Sequence, residues 1–134
     1  MTNQVNMEAL ADACRTMARH ESEQVHRRIT WLASFQGFLF AALGVAWGKS
    51  RSLTHVFATL GVTVAALTLV GVVAAVWAIE RIRQTWLAEK PAGYHGPDIM
   101  GFYPDRARFT RYTSGEILLP IAFMLAWIWV LIIA

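Results

Sequence analysis

The chain has 134 residues and a net charge of +3, with 56% hydrophobic and only 16% charged residues. This length allows one domain, residues 1–134, and the charged fraction is well below the ~25% of typical soluble domains. The composition argues against a water-soluble globular protein. It also argues against a nucleic-acid partner, because basic residues in a membrane protein mainly report topology and lipid contact.

Three apolar runs without any charged residue or histidine dominate the chain: Ile29–Trp47, Val56–Ile79 and Ile117–Ala134. An uncharged run of about 18 or more residues can cross the hydrocarbon core as a helix. The sequence therefore predicts an all-α membrane protein with transmembrane helices at 29–48, 55–80 and 116–134. Residues 1–28 are predicted as a cytoplasmic helix and 81–115 as a cytoplasmic extension and loop. The polar N-terminus shows no cleavable signal peptide.

Residues 4–28 contain no Gly or Pro and are rich in good helix formers. Nothing interrupts this pattern before the first apolar run, so one continuous helix is expected from about residue 4 to residue 48. Its apolar seam, Met7, Leu10, Cys14 and Met17, needs a covering partner, since short isolated helices are marginal in water. The candidate partners are another copy of the chain, the cytoplasmic extension of the second span and the membrane surface. Self-association is the preferred interpretation. Packing on the chain's own loop carries equal weight.

The distribution of basic residues predicts the orientation. Ten of the twelve Lys and Arg residues lie before the first run or between the second and third, and two, Lys49 and Arg51, lie in the short link between the first two. The positive-inside rule then places the N-terminus in the cytoplasm and the C-terminus outside. The six tryptophans, which include Trp86 and Trp127, are interpreted as anchors at the membrane interfaces.

Two stripes of small residues are predicted to pack the first two spans against each other. In lipid, small residues that allow close backbone approach are favoured at helix contacts. The first stripe is Ser34, Gly37, Ala41, Gly44 and Gly48, and the second is Ala58, Gly61, Ala65, Thr68 and Ala75.

Gln36 is the most polar residue within a span. It lies about 12 Å below Arg28 by helix rise. One interpretation is a constriction in a water-filled path. The other, which is favoured, is an interhelical clasp, because a buried amide in lipid needs a partner and one amide is a weak indication of a pore.

Other candidate sites are few. Arg106, Arg108 and Arg111, interleaved with aromatic residues beside the third span, are expected to bind anionic lipid headgroups. Protein partners are expected to bind through residues 4–28 or 91–112. No catalytic, metal-binding or cofactor-binding signature is present, so we expect no cofactor and no enzymatic activity.

Two stretches carry a resemblance to known families. The segment His26–Ala41, HRRITWLASFQGFLFA, is similar to the first span of small uncharacterised bacterial inner-membrane proteins. Arg15 and His20 match the R-x4-H pattern of the HEPN ribonuclease families over six residues. The chain also resembles small membrane effectors of antiphage and CRISPR-accessory systems, some of which look like oligomeric pores. The HEPN fold, however, is a soluble four-helix bundle for which this chain has no room.

The sequence thus leaves three functional hypotheses. The first is a self-associating protein of the bacterial inner membrane that forms an oligomeric pore or perturbs the membrane, as in antiviral defence. The second is a non-catalytic subunit that anchors a larger complex. The third and weakest is a membrane-bound nuclease using Arg15 and His20, since the motif is unspecific.

Overall fold

A computed structural model describes residues 2–90 and 115–133, with side chains from residue 8 onward. It contains three helices, α1 (Thr2–Ala46), α2 (Arg51–Glu89) and α3 (Gly115–Ile133). Each is long and apolar enough to cross a membrane. The predicted all-α class with three spans is confirmed. The expected irregular loop and the proposed headgroup residues Arg106, Arg108 and Arg111 lie outside the described residues.

The predicted continuity of the N-terminal helix with the first span is also confirmed. α1 runs for 45 residues without a break, which corresponds to a length of about 68 Å. Gly48, with φ of +73°, ends the run in a left-handed conformation that a glycine adopts without strain. The oxygen of Ser50 then accepts a hydrogen bond from the Leu53 backbone N–H at 3.4 Å and caps α2. α2 consequently begins at Arg51, four residues before the predicted start.

The short turn makes α1 and α2 an antiparallel hairpin, and α3 returns in the direction of α1. Two contacts fix the register of the hairpin: Gln36 bonds to Gly61, and Val25 packs on Val72. α3 begins beside Val25, which contacts Ile117, and Trp127 reaches the level of Gln36. α3 packs chiefly against α2 and to a lesser extent against α1.

Within the membrane, large side chains of α1 pack against small residues of α2. Leu39 and Leu43 form one cluster with Ala58, Trp127 and Val130. The buried positions follow the 3-4 spacing of a helix-packing seam. On α1 they are Leu32, Gln36, Leu39, Leu43 and Ala46, and on α2 they are Thr54, Ala58, Gly61, Ala65, Val72 and Ala75. Val76, next to Ala75, is buried as well.

The expectation that both small stripes face each other is therefore wrong for α1. Its stripe residues Ser34, Gly37, Ala41, Gly44 and Gly48 are all exposed. The α2 stripe is buried apart from Thr68, which is half-buried. A small residue allows close approach by a large side chain as well as by another small one. In this hairpin, large side chains of α1 pack on the small residues of α2, and the small stripe of α1 remains on the outside.

The cytoplasmic part of α1 also differs from its predicted seam. Of the predicted seam, Cys14 is buried but Met17 is 58% exposed, and the other buried positions are Ala11 and Val25. Trp86, interpreted from the sequence as an interfacial anchor, is 1% exposed. The register of the hairpin, continued outward, places Trp86 level with Ala11. α2 thus extends beside the N-terminal part of α1. The cytoplasmic extension of the second span therefore covers that part of the helix within the same chain.

We predict that Gly61→Ala destabilises the helix packing by about 1–3 kcal/mol. An added Cβ would overlap the indole ring of Trp127, a ring that is itself fully buried. Gly37→Ala is the matched control, because a Cβ there has nothing within 4 Å. The control should be neutral or stabilising by up to about 1 kcal/mol. Unfolding of the detergent-solubilised protein by SDS would measure both, and equal effects would contradict the packing at Gly61.

Candidate functional site

Gln36 joins all three helices at mid-span. Its side chain is 0% exposed. The amide nitrogen Nε2 donates to the backbone carbonyl of Gly61 on α2 at 3.1 Å, and Oε1 accepts from the indole Nε1–H of Trp127 on α3. Both polar ends of the amide therefore have partners inside one chain. This is the geometry of an interhelical clasp, and it holds the amide away from the outer surface of the hairpin.

An aromatic cluster positions Trp127 for this bond. The Trp127 ring stacks on Phe40 with centroids 4.3 Å apart and planes 8° from parallel. Phe123 lies one turn earlier on α3, with its centroid 6.2 Å from that of Phe40. Stacked and offset aromatic pairs add stabilisation beyond the area they bury. Trp127, which the sequence predicts to lie at a membrane interface, is instead fully buried among the helices. Its spacing of ten residues from Ile117 was the available indication that it lies deep in the span.

The side of α1 that is turned away from α2 forms a second feature, which we call the outer face. Its residues recur at three- and four-residue steps and all are exposed. In the cytoplasmic part they are charged or polar, and in the span they are small or carry a hydroxyl. The outer face consists of Arg19, Glu23, His26, Thr30, Ser34, Gly37, Ala41 and Gly44.

The hydroxyls of the outer face are bonded to their own helix. Thr30 donates to the carbonyl of His26 at 3.0 Å, and Ser34 donates to the carbonyl of Thr30 at 3.0 Å. Each hydroxyl is thus compatible with an apolar surrounding and keeps an oxygen that can accept a further hydrogen bond. The outer face can therefore pack against another helix or border water.

At one depth the surfaces of α1 and α2 differ sharply in polarity. A guanidinium N–H of Arg28 donates to the carbonyl of Gly71 at 2.8 Å, which places these two residues side by side. α2 continues with apolar residues from Val72 to Ile79, about 12 Å beyond this level, and Trp77 there is 67% exposed. The neighbouring part of α1 exposes Arg19, Glu23 and His26. At this depth water does not suit the apolar surface of α2, and lipid does not suit the charged surface of α1.

Arg15 and His20 do not form a joint site within the chain. Five helical positions separate their directions by about 140°. Arg15 forms an ion pair with Asp12 at 3.2 Å, and a ring nitrogen of His20 lies 3.2 Å from the Gln24 amide nitrogen. Over residues 2–90 and 115–133, there is also no group of three His, Cys, Asp or Glu residues that could hold a metal ion.

We predict a coupling of about 1 kcal/mol between Gln36 and Trp127. Gln36→Leu leaves the buried indole N–H without its acceptor, and Trp127→Phe leaves the amide oxygen without its donor. The double variant removes both groups, so it should lose less stability than the sum of the single changes. Unfolding in mixed detergent measures the cycle.

Ser34→Ala is a control for this cycle, because that hydroxyl is exposed and bonded only to its own helix. We expect it to change the free energy of unfolding by no more than about 0.5 kcal/mol. Strictly additive effects of Gln36→Leu and Trp127→Phe would show that the two side chains do not interact.

Comparison with known proteins provides no relative from which a role could be transferred. No family model, no curated protein and no solved structure matches the chain.

Proposed function

We propose that this integral membrane protein self-associates through the outer face of α1 and forms an oligomeric membrane pore. The observation that carries the proposal is the contrast in polarity between α1 and α2 at the same depth. A ring of copies accommodates both surfaces. The apolar side of α2 contacts lipid, and the outer face of α1 turns toward the other copies and a shared polar interior.

A single chain cannot place both surfaces in a suitable solvent, wherever the edge of the bilayer lies. If the bilayer covers the apolar segment of α2 up to Ile79, lipid surrounds Arg19, Glu23 and His26, and charged groups in hydrocarbon are costly. If the bilayer ends at Arg28, water surrounds Trp77 and its apolar neighbours. Assembly around the outer face removes this conflict, because the charged residues then lie between copies while α2 keeps its lipid contact.

Inside the span, the outer face consists mainly of small residues. Gly37, Ala41 and Gly44 allow close approach of another helix, which is the main source of helix association in lipid. The corresponding small residues of α2 are already used by α1 and α3 within the chain. Trp31, Phe38 and Val45 form the bulky neighbouring surface of α1, and all three are exposed and suited to lipid.

Gln36 has a structural role in this proposal. Its amide is fully engaged by Gly61 and Trp127, so the polar groups available to a path are the hydroxyls of Thr30 and Ser34 and the cytoplasmic charges of the outer face. A path bordered by glycine, alanine and hydroxyl groups would be narrow and weakly selective. The outer face has mixed charge at its cytoplasmic end, where Arg19 and Glu23 of adjacent copies can pair.

The alternative function is a non-catalytic subunit that anchors a partner protein. Large apolar side chains on the projecting helices favour it, because Met17, Trp77 and Leu87 are each more than half exposed. Exposed apolar patches of this kind often mark protein contacts. In this case the partner, rather than the bilayer, would cover Trp77.

Cysteine crosslinking tests the assembly directly. In a Cys14→Ser background, which removes the one native cysteine, Ala41→Cys should form disulfide-linked dimers in the membrane under mild oxidation. Ala74→Cys is the matched control on α2, with the same change at an exposed position that we assign to lipid. The purified protein should also be oligomeric in detergent and should conduct ions in liposomes. We expect Ala41→Leu to reduce the ion flux at least tenfold, while Ala74→Leu leaves it unchanged.

Each result separates the two functions. Oligomers with ion flux that Ala41→Leu reduces support the pore. A monomer without crosslinks at Ala41, purified with a stoichiometric partner, would replace the pore by the anchoring function. Equal crosslinking at Ala41 and Ala74 would reject the outer face as the contact.

We further propose that the protein lies in a bacterial inner membrane with its N-terminus in the cytoplasm, in accordance with the bias of basic residues. In the same Cys14→Ser background, Lys49→Cys should react with a membrane-impermeant maleimide from outside intact cells, whereas Glu8→Cys should react only after permeabilisation. The reverse pattern of labelling would invert the orientation.

A further inference from the structure

An open groove of about 380 Å³ lies between α1 and α2 on the side of α1 next to its bulky surface. Its upper end is formed by Arg27, Arg28, Trp31 and Thr68, and its lower part by Phe35 and Val64. The groove is complete within one chain and does not include the outer-face residues.

The groove crosses the boundary of the membrane. Arg27 and Arg28 directly precede the apolar run that begins at Ile29, and Phe35 lies about 10 Å deeper by helix rise. The Thr68 hydroxyl donates to the carbonyl of Val64 at 2.9 Å, so it is satisfied by its own helix. The groove therefore has a cationic upper end and a lower part suited to hydrocarbon, with a tryptophan between the two.

The arginines at the upper end are available to an anion. Arg28 uses an N–H to bond the Gly71 carbonyl at 2.8 Å, which holds its guanidinium beside the groove while other donors of the fork remain. The ion pairs found among residues 8–90 and 115–133 are those of Arg15 with Asp12 and Arg83 with Glu80, and neither involves the two groove arginines. Among the residues that the structure describes, no carboxylate lines this groove.

A neighbouring groove shows the contrast. It lies at a similar depth between α1 and the start of α3, shares Arg27 and Trp31, and is also lined by Glu23 and Glu116. The two carboxylates offset the basic residues there. In the groove between α1 and α2, by comparison, the charged side chains among the described lining residues are the two arginines. This groove therefore favours a ligand with an anionic headgroup.

We propose that the groove between α1 and α2 binds one anionic phospholipid. The phosphate accepts hydrogen bonds from Arg27 and Arg28, Trp31 and Thr68 lie at the level of the glycerol backbone, and an acyl chain follows Phe35 and Val64. Interfacial arginines attract anionic headgroups, and tryptophan favours this level of the bilayer. The proposal does not depend on the pore, since one chain supplies every lining residue.

Native mass spectrometry of the purified protein tests this site. The probes are phosphatidylglycerol and phosphatidylcholine with identical acyl chains, added to the detergent-solubilised protein. The wild type should bind the first phosphatidylglycerol at least tenfold more tightly than phosphatidylcholine. Arg27→Gln should weaken phosphatidylglycerol binding about fivefold, the equivalent of about 1 kcal/mol for one interfacial basic residue. It should leave phosphatidylcholine binding unchanged.

Arg81→Gln is the matched control, because it removes the same charge from an exposed position of α2 outside the groove. Val64→Phe is a second variant that fills the lower part of the groove, and it should weaken both lipids by a similar factor. An equal loss with Arg81→Gln and Arg27→Gln, or equal affinity of the wild type for both lipids, would overturn the site.

A competition experiment distinguishes a lipid from a free anion. Inorganic phosphate at 10 mM should leave phosphatidylglycerol bound, because it has no chain to occupy the apolar part of the groove. If phosphate displaces the lipid, and Val64→Phe does not change lipid binding, the arginines form a simple anion site and the lipid proposal is wrong.

Discussion

The packing of the three spans depends on the close approach of other side chains to one backbone position, Gly61. The missing side chain at this residue makes room for the Trp127 ring, and its carbonyl accepts from the Gln36 amide. In lipid there is little hydrophobic drive between helices, so shape and interhelical hydrogen bonds determine which faces meet. Because Gln36 needs partners and Gly61 leaves space, the same contact sets the register of the α1–α2 hairpin and the depth at which α3 docks.

This contact also determines which surfaces remain free. α1 presents its large residues to α2, and the small residues of α2 are therefore covered within the chain. The small stripe of α1, from Ser34 to Gly44, is left outside together with the polar residues that continue it toward the N-terminus. The register further places the charged part of α1 beside an apolar part of α2. Both features of the exposed surface that favour assembly thus follow from the internal packing of one chain.

The sequence was sufficient to predict the elements but only part of their packing. Long uncharged runs and the absence of Gly and Pro before Gly37 determine the number of helices and the continuity of α1. The stripes could not be assigned to faces, because a row of small residues accepts either another small row or a row of large side chains. Trp127 was assigned to an interface because tryptophan is common there. Its partner Gln36 is 91 positions away in the sequence, and no local pattern links the two.

The offset between the apolar segments of α1 and α2 connects the two proposed sites. The uncharged run of α2 spans 24 residues and that of α1 spans 19, and the register of the hairpin places Val56 level with Ala41 and Ile79 level with Ala18. The apolar segment of α2 is therefore shifted toward the cytoplasmic side, where it lies beside Arg19 to Arg28. A bilayer can adapt to such a mismatch by tilting helices or by changing its local thickness. Arginines that bind lipid phosphates would draw headgroups toward the level of Arg28 in the groove beside α2, while on the outer face the polar residues meet other copies. The same stretch of α1 can thus face lipid headgroups on one side and protein on the other, which is how one helix reconciles two different membrane boundaries.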